Sequence, residues 1–67
     1  MTFQDLDVVR LTKAVPGTSL NAGQVGAVVM VFAEPNVAYE VEFCNADGET
    51  VNMVPLTPDY LELALNF

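Results

Sequence analysis

The chain has 67 residues, 52% of them hydrophobic, with nine acidic residues against two basic ones, one Cys and no His. That length bounds it to a single domain over residues 1–67; lone Cys44 excludes an intrachain disulfide, and the lack of His leaves no zinc cluster. A formal net charge of −7, with Arg10 and Lys13 as the only cations, excludes a phosphate-binding surface, so neither nucleic acid nor an anionic membrane is expected as a partner.

No apolar run reaches the roughly 18 residues of a membrane span. Residues 1–5 lack a positive region leading into an apolar one, so no signal peptide is expected. One unpaired cysteine suits a reducing interior, and a cytoplasmic location is the expectation. Domains this small bury a modest core and often gain burial from a partner subunit, so a homo-oligomer is an open outcome.

Asp5 to Thr12 predicts the first strand, with Val9 and Leu11 inward and Arg10 outward. Asp5 and Asp7 read as solvated outward residues; a metal at this Asp-x-Asp has no further ligands close in sequence. Residues 12–23 form a long connection with turns at Pro16-Gly17 and Asn21-Ala22-Gly23, and Leu20 anchors it to the core.

Val25 to Ala33 is the second strand and the most apolar stretch. Val25, Ala27, Val29 and Val31 share one face; Val28, Met30 and Phe32 share the other. One face fills the interior, and the other is covered by a chain terminus or a partner or else forms an exposed patch. Met30, Phe32 and Phe67 are the candidate oligomer interface. Gly26 inside the strand marks a bulge or a close backbone approach. Glu34-Pro35-Asn36 then turns the chain.

Val37 to Cys44 alternates most cleanly: Val37, Tyr39, Val41 and Phe43 make an apolar face, with Tyr39, Val41 and Phe43 inward, and Ala38, Glu40, Glu42 and Cys44 make the other. A two-residue loop at Asp47-Gly48 would bury the wrong side chains of the next strand. A three-residue loop, Ala46-Asp47-Gly48, pairs Phe43 with Val51 and Val41 with Met53. It sets Glu42 opposite Asn52 and Cys44 opposite Thr50, with Gly48 left-handed in a bulged type I turn. The fourth strand is Glu49 to Val54, ended by Pro55. Thr57-Pro58-Asp59-Tyr60 predicts one helical turn with Thr57 as cap. Leu61 to Leu65 predicts a short fifth strand, with a short helix as the competing reading.

These elements predict an all-β fold: a small, five-stranded SH3-like barrel with a helical turn before the last strand. Asp7-Val8-Val9-Arg10-Leu11, Gly23-Gln24-Val25-Gly26-Ala27-Val28-Val29, Ala38-Tyr39-Glu40-Val41-Glu42-Phe43 and Leu56-Thr57-Pro58-Asp59-Tyr60-Leu61 resemble a family of small bacterial domains of unknown function. The resemblance covers nearly the whole chain. It implies an SH3-like fold and a role near other proteins, in toxin–antitoxin or mobile-gene settings, and carries over no catalytic residue. Residues 23–29 are also similar to the ribosome- and polymerase-associated KOW motif. That motif works beside basic surfaces, which this chain lacks, so the likeness is one of barrel geometry.

Glu40 and Glu42 stand roughly 6.5–7 Å apart along the strand. A glycosidase pair at that spacing also needs a sugar-sized cleft, which an open strand face does not supply. Asn45-Ala46-Asp47-Gly48 is not a calcium loop, because Phe43 and Val54 fall at the first and last ligand positions. Cys44 has no His to activate it. Tyr39 points inward and Trp is absent, against an aromatic groove for Pro-rich ligands. No catalytic residue, no metal and no cofactor is assigned, and the chain is not expected to be an enzyme. The expected function is a protein-interaction module whose acidic face, Glu40, Glu42 and Asn52 with Asp5 and Asp7, contacts a basic partner. An antitoxin, immunity or inhibitor role fits that electrostatics. The alternative is a structural homo-oligomer or a small subunit of a larger complex.

Overall fold

A computed structural model of the chain describes residues 2–64. It is all-β, with five antiparallel strands in one open sheet: β1 (Val8–Leu11), β2 (Val25–Phe32), β3 (Ala38–Cys44), β4 (Thr50–Leu56) and β5 (Leu61–Leu63). The strand order is β4-β3-β2-β1-β5. A single 3-10 turn, Pro58–Tyr60, precedes β5, so the helical turn holds and the last element is a strand, over Leu61–Leu63 rather than to Leu65, which lies outside the described residues. Thr57 is its N-cap by position, but its hydroxyl bonds the Asp59 carboxylate rather than a backbone N–H.

The core draws on the inward residues of every strand: Val9 and Leu11 of β1, Val28 of β2, Tyr39, Val41 and Phe43 of β3, Leu56 of β4 and Leu61 of β5. Leu20 anchors the long connection to this core, as its place between two turns predicts. Phe3 is buried with them. Its ring meets Tyr39 edge-on at 5.2 Å, and its N–H donates to the Tyr39 hydroxyl at 3.1 Å. The buried tyrosine thereby gains a partner for its polar end.

The first strand is shorter than its apolar content predicts. Leu6 takes a φ of 73°, which breaks the extended run, and the Gln4 N–H donates to the Asp7 carboxylate at 2.8 Å, closing a turn over residues 4–7. Extended pairing begins only at Val8. At the other end, the loop Ala46-Asp47-Gly48 forms as predicted. Gly48 has a φ of 83°, its N–H donates to Asn45 O at 3.0 Å, and the Asn45 N–H donates to Glu49 O at 2.9 Å. The Asn45 side-chain oxygen also accepts the N–H groups of Asp47 and Glu49, an Asx arrangement that fixes the turn.

Two β-bulges correct the predicted faces. In β4, Cys44 pairs with Thr50 as expected, but Phe43 then pairs with Asn52, leaving Val51 as an extra residue. Glu42 therefore faces Met53, not Asn52, and Val41 faces Val54. Val51 and Met53, predicted inward, are 53% and 48% exposed. The strand also does not stop at Pro55; it runs on to Leu56, which pairs with Tyr39. Proline is tolerated there because β4 is an edge of the sheet, where a missing donor need not break a ladder. In β2 the shift falls at Val29, between Val28 opposite Val41 and Met30 opposite Glu40. Val28 is buried while Met30 and Phe32 turn outward, so those three do not share a face.

Gly26 meets the other expectation for a strand glycine. A Cβ there would lie 2.7 Å from the Glu42 carbonyl oxygen and 2.9 Å from the Phe43 ring. The ring packs over the bare backbone, so a Cβ there forces the ring or the carbonyl to shift.

Candidate functional site

Side chains of directly paired residues share a face of a sheet. The two bulges therefore assemble the outer face from three rows. The central row is Ala38, Glu40 and Glu42 of β3. Ala27, Met30 and Phe32 of β2 lie beside it, opposite Glu42, Glu40 and Ala38 in turn. On its other side, Met53 and Pro55 of β4 stand opposite Glu42 and Glu40. Val8 of β1, opposite Ala27, extends the apolar border. Met30 is 53% exposed, Met53 48% and Phe32 39%, so these borders are open to solvent. The two glutamates between them are half-buried. The Glu42 carboxylate is further held by the Thr50 hydroxyl, which donates to its Oε2 at 2.7 Å.

The chain's cations are engaged elsewhere. Arg10 of β1 binds Glu62 of β5 at 2.8 Å, and Lys13 binds Asp59 at 2.8 Å while lying over the Tyr60 ring at 4.4 Å. The Asp59 carboxyl is held down to about 2, first by its bond from Lys13 and then by that from Thr57. Lys13 is raised in return, chiefly by the same Asp59 bond. Glu40 and Glu42 have no cationic partner among the described residues, and β2, β3 and β4 contain no Lys or Arg.

The sequence-predicted residues thus separate. Glu40 and Glu42 stay together on the outer face, joined by Met30 and Phe32, the expected oligomer-interface residues. Asn52 leaves the group: it lies opposite buried Phe43 on the inner side of β4. Asp7 is half-buried with its carboxylate accepting from the Gln4 amide, and Asp5 lies in the exposed turn beside it; both precede β1 and belong to neither strand that pairs with β3. Phe67 lies outside the described residues. Met53 and Pro55 were missed as site residues. The available signal was Leu56: extending β4 through Pro55 puts Leu56 and Val54 inward and sends Met53 and Pro55 out. Cys44 is exposed, next to the hairpin turn.

Residues 5–63 match the model of a family described as a domain of unknown function, DUF4926, in keeping with the resemblance seen in the sequence. No curated protein and no solved structure matches the chain. No helix among the described residues is long and apolar enough to cross a membrane.

Proposed function

We propose that this chain, which belongs to the DUF4926 family of unknown function, is a non-enzymatic protein-binding module whose outer sheet face takes a basic partner. The observation carrying this reading is the pairing of Glu40 with Met30 and Pro55, and of Glu42 with Met53. An open apolar border around two cation-free carboxylates supports binding to a surface that is itself apolar and basic. An antitoxin, immunity or inhibitor role suits that electrostatics. An SH3-like barrel is the fold reading that goes with it. It is supported by the strand order, the long connection before β2 and the 3-10 turn before β5. The exposed unpaired thiol of Cys44 fits a reducing, cytoplasmic setting.

The test uses the protein as bait in lysate at low and high salt, beside a variant carrying Glu40→Lys and Glu42→Lys. The expected result is a basic protein that salt releases and the variant fails to capture, with the variant's circular dichroism unchanged. Capture indifferent to both salt and charge reversal, or no capture at all, refutes the reading.

A second reading, a homo-oligomer held through this face, is favoured by the exposure of Met30 and Phe32. A light-scattering mass of one chain at high concentration eliminates it.

A further inference from the structure

Three features of the molecule offer themselves as contact surfaces: the sheet edges, the region around β5 and the outer face of β2, β3 and β4. The edges are poorly suited to adding a strand. β4 carries Pro55 and the bulge at Val51, while β5 is three residues long. The β5 side has its charges already paired, Arg10 with Glu62 and Lys13 with Asp59. The outer face alone combines open apolar borders with unneutralised charge.

Its charge also selects the occupant. A second copy laid face to face would bring four carboxylates together over strands that hold no cation, and such juxtaposition opposes binding. Strands stand about 4.8 Å apart. Glu40 is therefore within side-chain reach of Met30 and Pro55, and Glu42 of Met53 on one side with the small Ala27 on the other. That spacing suits a side chain with an apolar stem and a cationic head, as in arginine or lysine. Arginine fits better, since its planar guanidinium can fork onto a carboxylate, and stems lying on Met30, Met53 and Pro55 would shield that contact from water. Thr50 already fixes one oxygen of Glu42, so that carboxylate is oriented before any partner arrives.

Resting on the protein-binding reading above, we propose that the partner presents two arginines at alternate positions of an extended segment lying along β3, one on Glu40 and one on Glu42. An extended chain repeats every two residues at about 6.6 Å, the same repeat that separates the two glutamates.

Fluorescence anisotropy with synthetic peptides tests this. One peptide carries Arg-x-Arg between apolar residues; a second has the same composition with the arginines adjacent; a third carries Lys-x-Lys. The Arg-x-Arg peptide should bind about tenfold more tightly than the adjacent-arginine peptide and more tightly than the lysine one. Glu40→Gln with Glu42→Gln should abolish that preference. Met30→Ser with Met53→Ser should weaken binding about threefold or more at unchanged salt dependence. These positions are exposed or half-exposed, and circular dichroism with thermal melts confirms that each variant folds. Equal binding of the spaced and adjacent peptides, or binding that survives loss of both carboxylates, overturns the inference and leaves only attraction to the net charge. If the peptides fail while lysate capture still depends on Glu40 and Glu42, this inference falls and the protein-binding reading stands. If both fail, both fall. A mass of two chains that Met30→Ser returns to one would assign the face to a second copy and also overturn the proposal.

Discussion

Replacing Phe3 with alanine tests whether the segment before β1 closes the core. Phe3 is 1% exposed, so its ring is wholly buried. Removing a buried aromatic ring costs about 3–5 kcal/mol, of which its edge-on contact with Tyr39 supplies about 0.5–1.5. A domain of 67 residues has a total stability of only about 3–10 kcal/mol, from about 0.05–0.15 kcal/mol per residue. Phe3→Ala should therefore remove about three-tenths or more of the stability, and at the low end of that range leave half the molecules folded or fewer. Phe3→Leu keeps much of the volume and should cost about half as much or less. Tyr39→Phe isolates the polar contact, leaving the Phe3 N–H without its acceptor at a cost of about 1–3 kcal/mol. Urea unfolding followed by circular dichroism and tyrosine emission measures all three. Suppose Phe3→Ala lowers the unfolding free energy by less than about 0.5 kcal/mol, the range of ordinary surface changes. Then residues 2–7 do not close the core, and the packing of Phe3 against Tyr39 is not a property of the folded protein.

Gly26→Ala should destabilise by about 1–3 kcal/mol, because the new methyl meets both the Glu42 carbonyl oxygen at 2.7 Å and the Phe43 ring. Gly26→Ala should still cost stability when made in a Phe43→Leu background and compared with Phe43→Leu alone, since the carbonyl contact remains; no cost there would place the whole clash on the ring. The Lys13–Asp59 pair sets an acid limb. A carboxyl held at about 2, below its ordinary 3.8, contributes stability that is complete above 3.8 and disappears as pH falls through about 2. Raised Lys13 works in the opposite sense, its contribution complete below 10.5 and lost only at higher pH. An NMR titration should show the Asp59 carboxyl midpoint near 2 in wild type and shifted upward in Lys13→Met. A wild-type midpoint near the ordinary 3.8 would mean that the pair does not form in solution.

The sequence carried much of this fold because β3 alternates without ambiguity and the turns are marked. Tyr39, Val41 and Phe43 could only face inward, and Gly48 named the bulged loop. The bulges were not legible, for a physical reason. A period of two reveals a change of phase only where one face is polar. In β2 both faces are apolar from Val25 to Phe32, so a one-residue shift at Val29 exchanges one hydrophobic side chain for another and leaves no trace in the pattern. In β4 the pattern is contradictory. The hairpin end fixes Thr50 outward beside Cys44, whereas Val54 and Leu56 require the opposite phase to reach Val41 and Tyr39. Val51 absorbs the difference. Phe3 was hidden for another reason, since a single aromatic outside any periodic stretch carries no directional signal.

The β4 register also bears on the outer face. The unbulged pairing would bury Val51 and Met53 and leave Asn52 outside; the bulged one half-buries Asn52 and exposes the two apolar residues. Counted over those three positions alone, the observed register is the poorer one. It is retained because Leu56, 4% exposed, enters the core opposite Tyr39 and delivers the chain to the 3-10 turn and β5. Methionine and valine on the outer face are then a consequence of closing the sheet. The same logic does not explain Met30 or Phe32. The bulge at Val29 turns them outward beside Glu40, and no described element packs over them. Two independent bulges thus converge on one result, apolar side chains on both sides of the Glu40 and Glu42 row. On the β5 side the cations are instead matched by acids. The β4 register accounts for Met53 without any partner, so the apolar side that the proposed arginine-bearing segment is needed to explain is that of Met30 and Phe32.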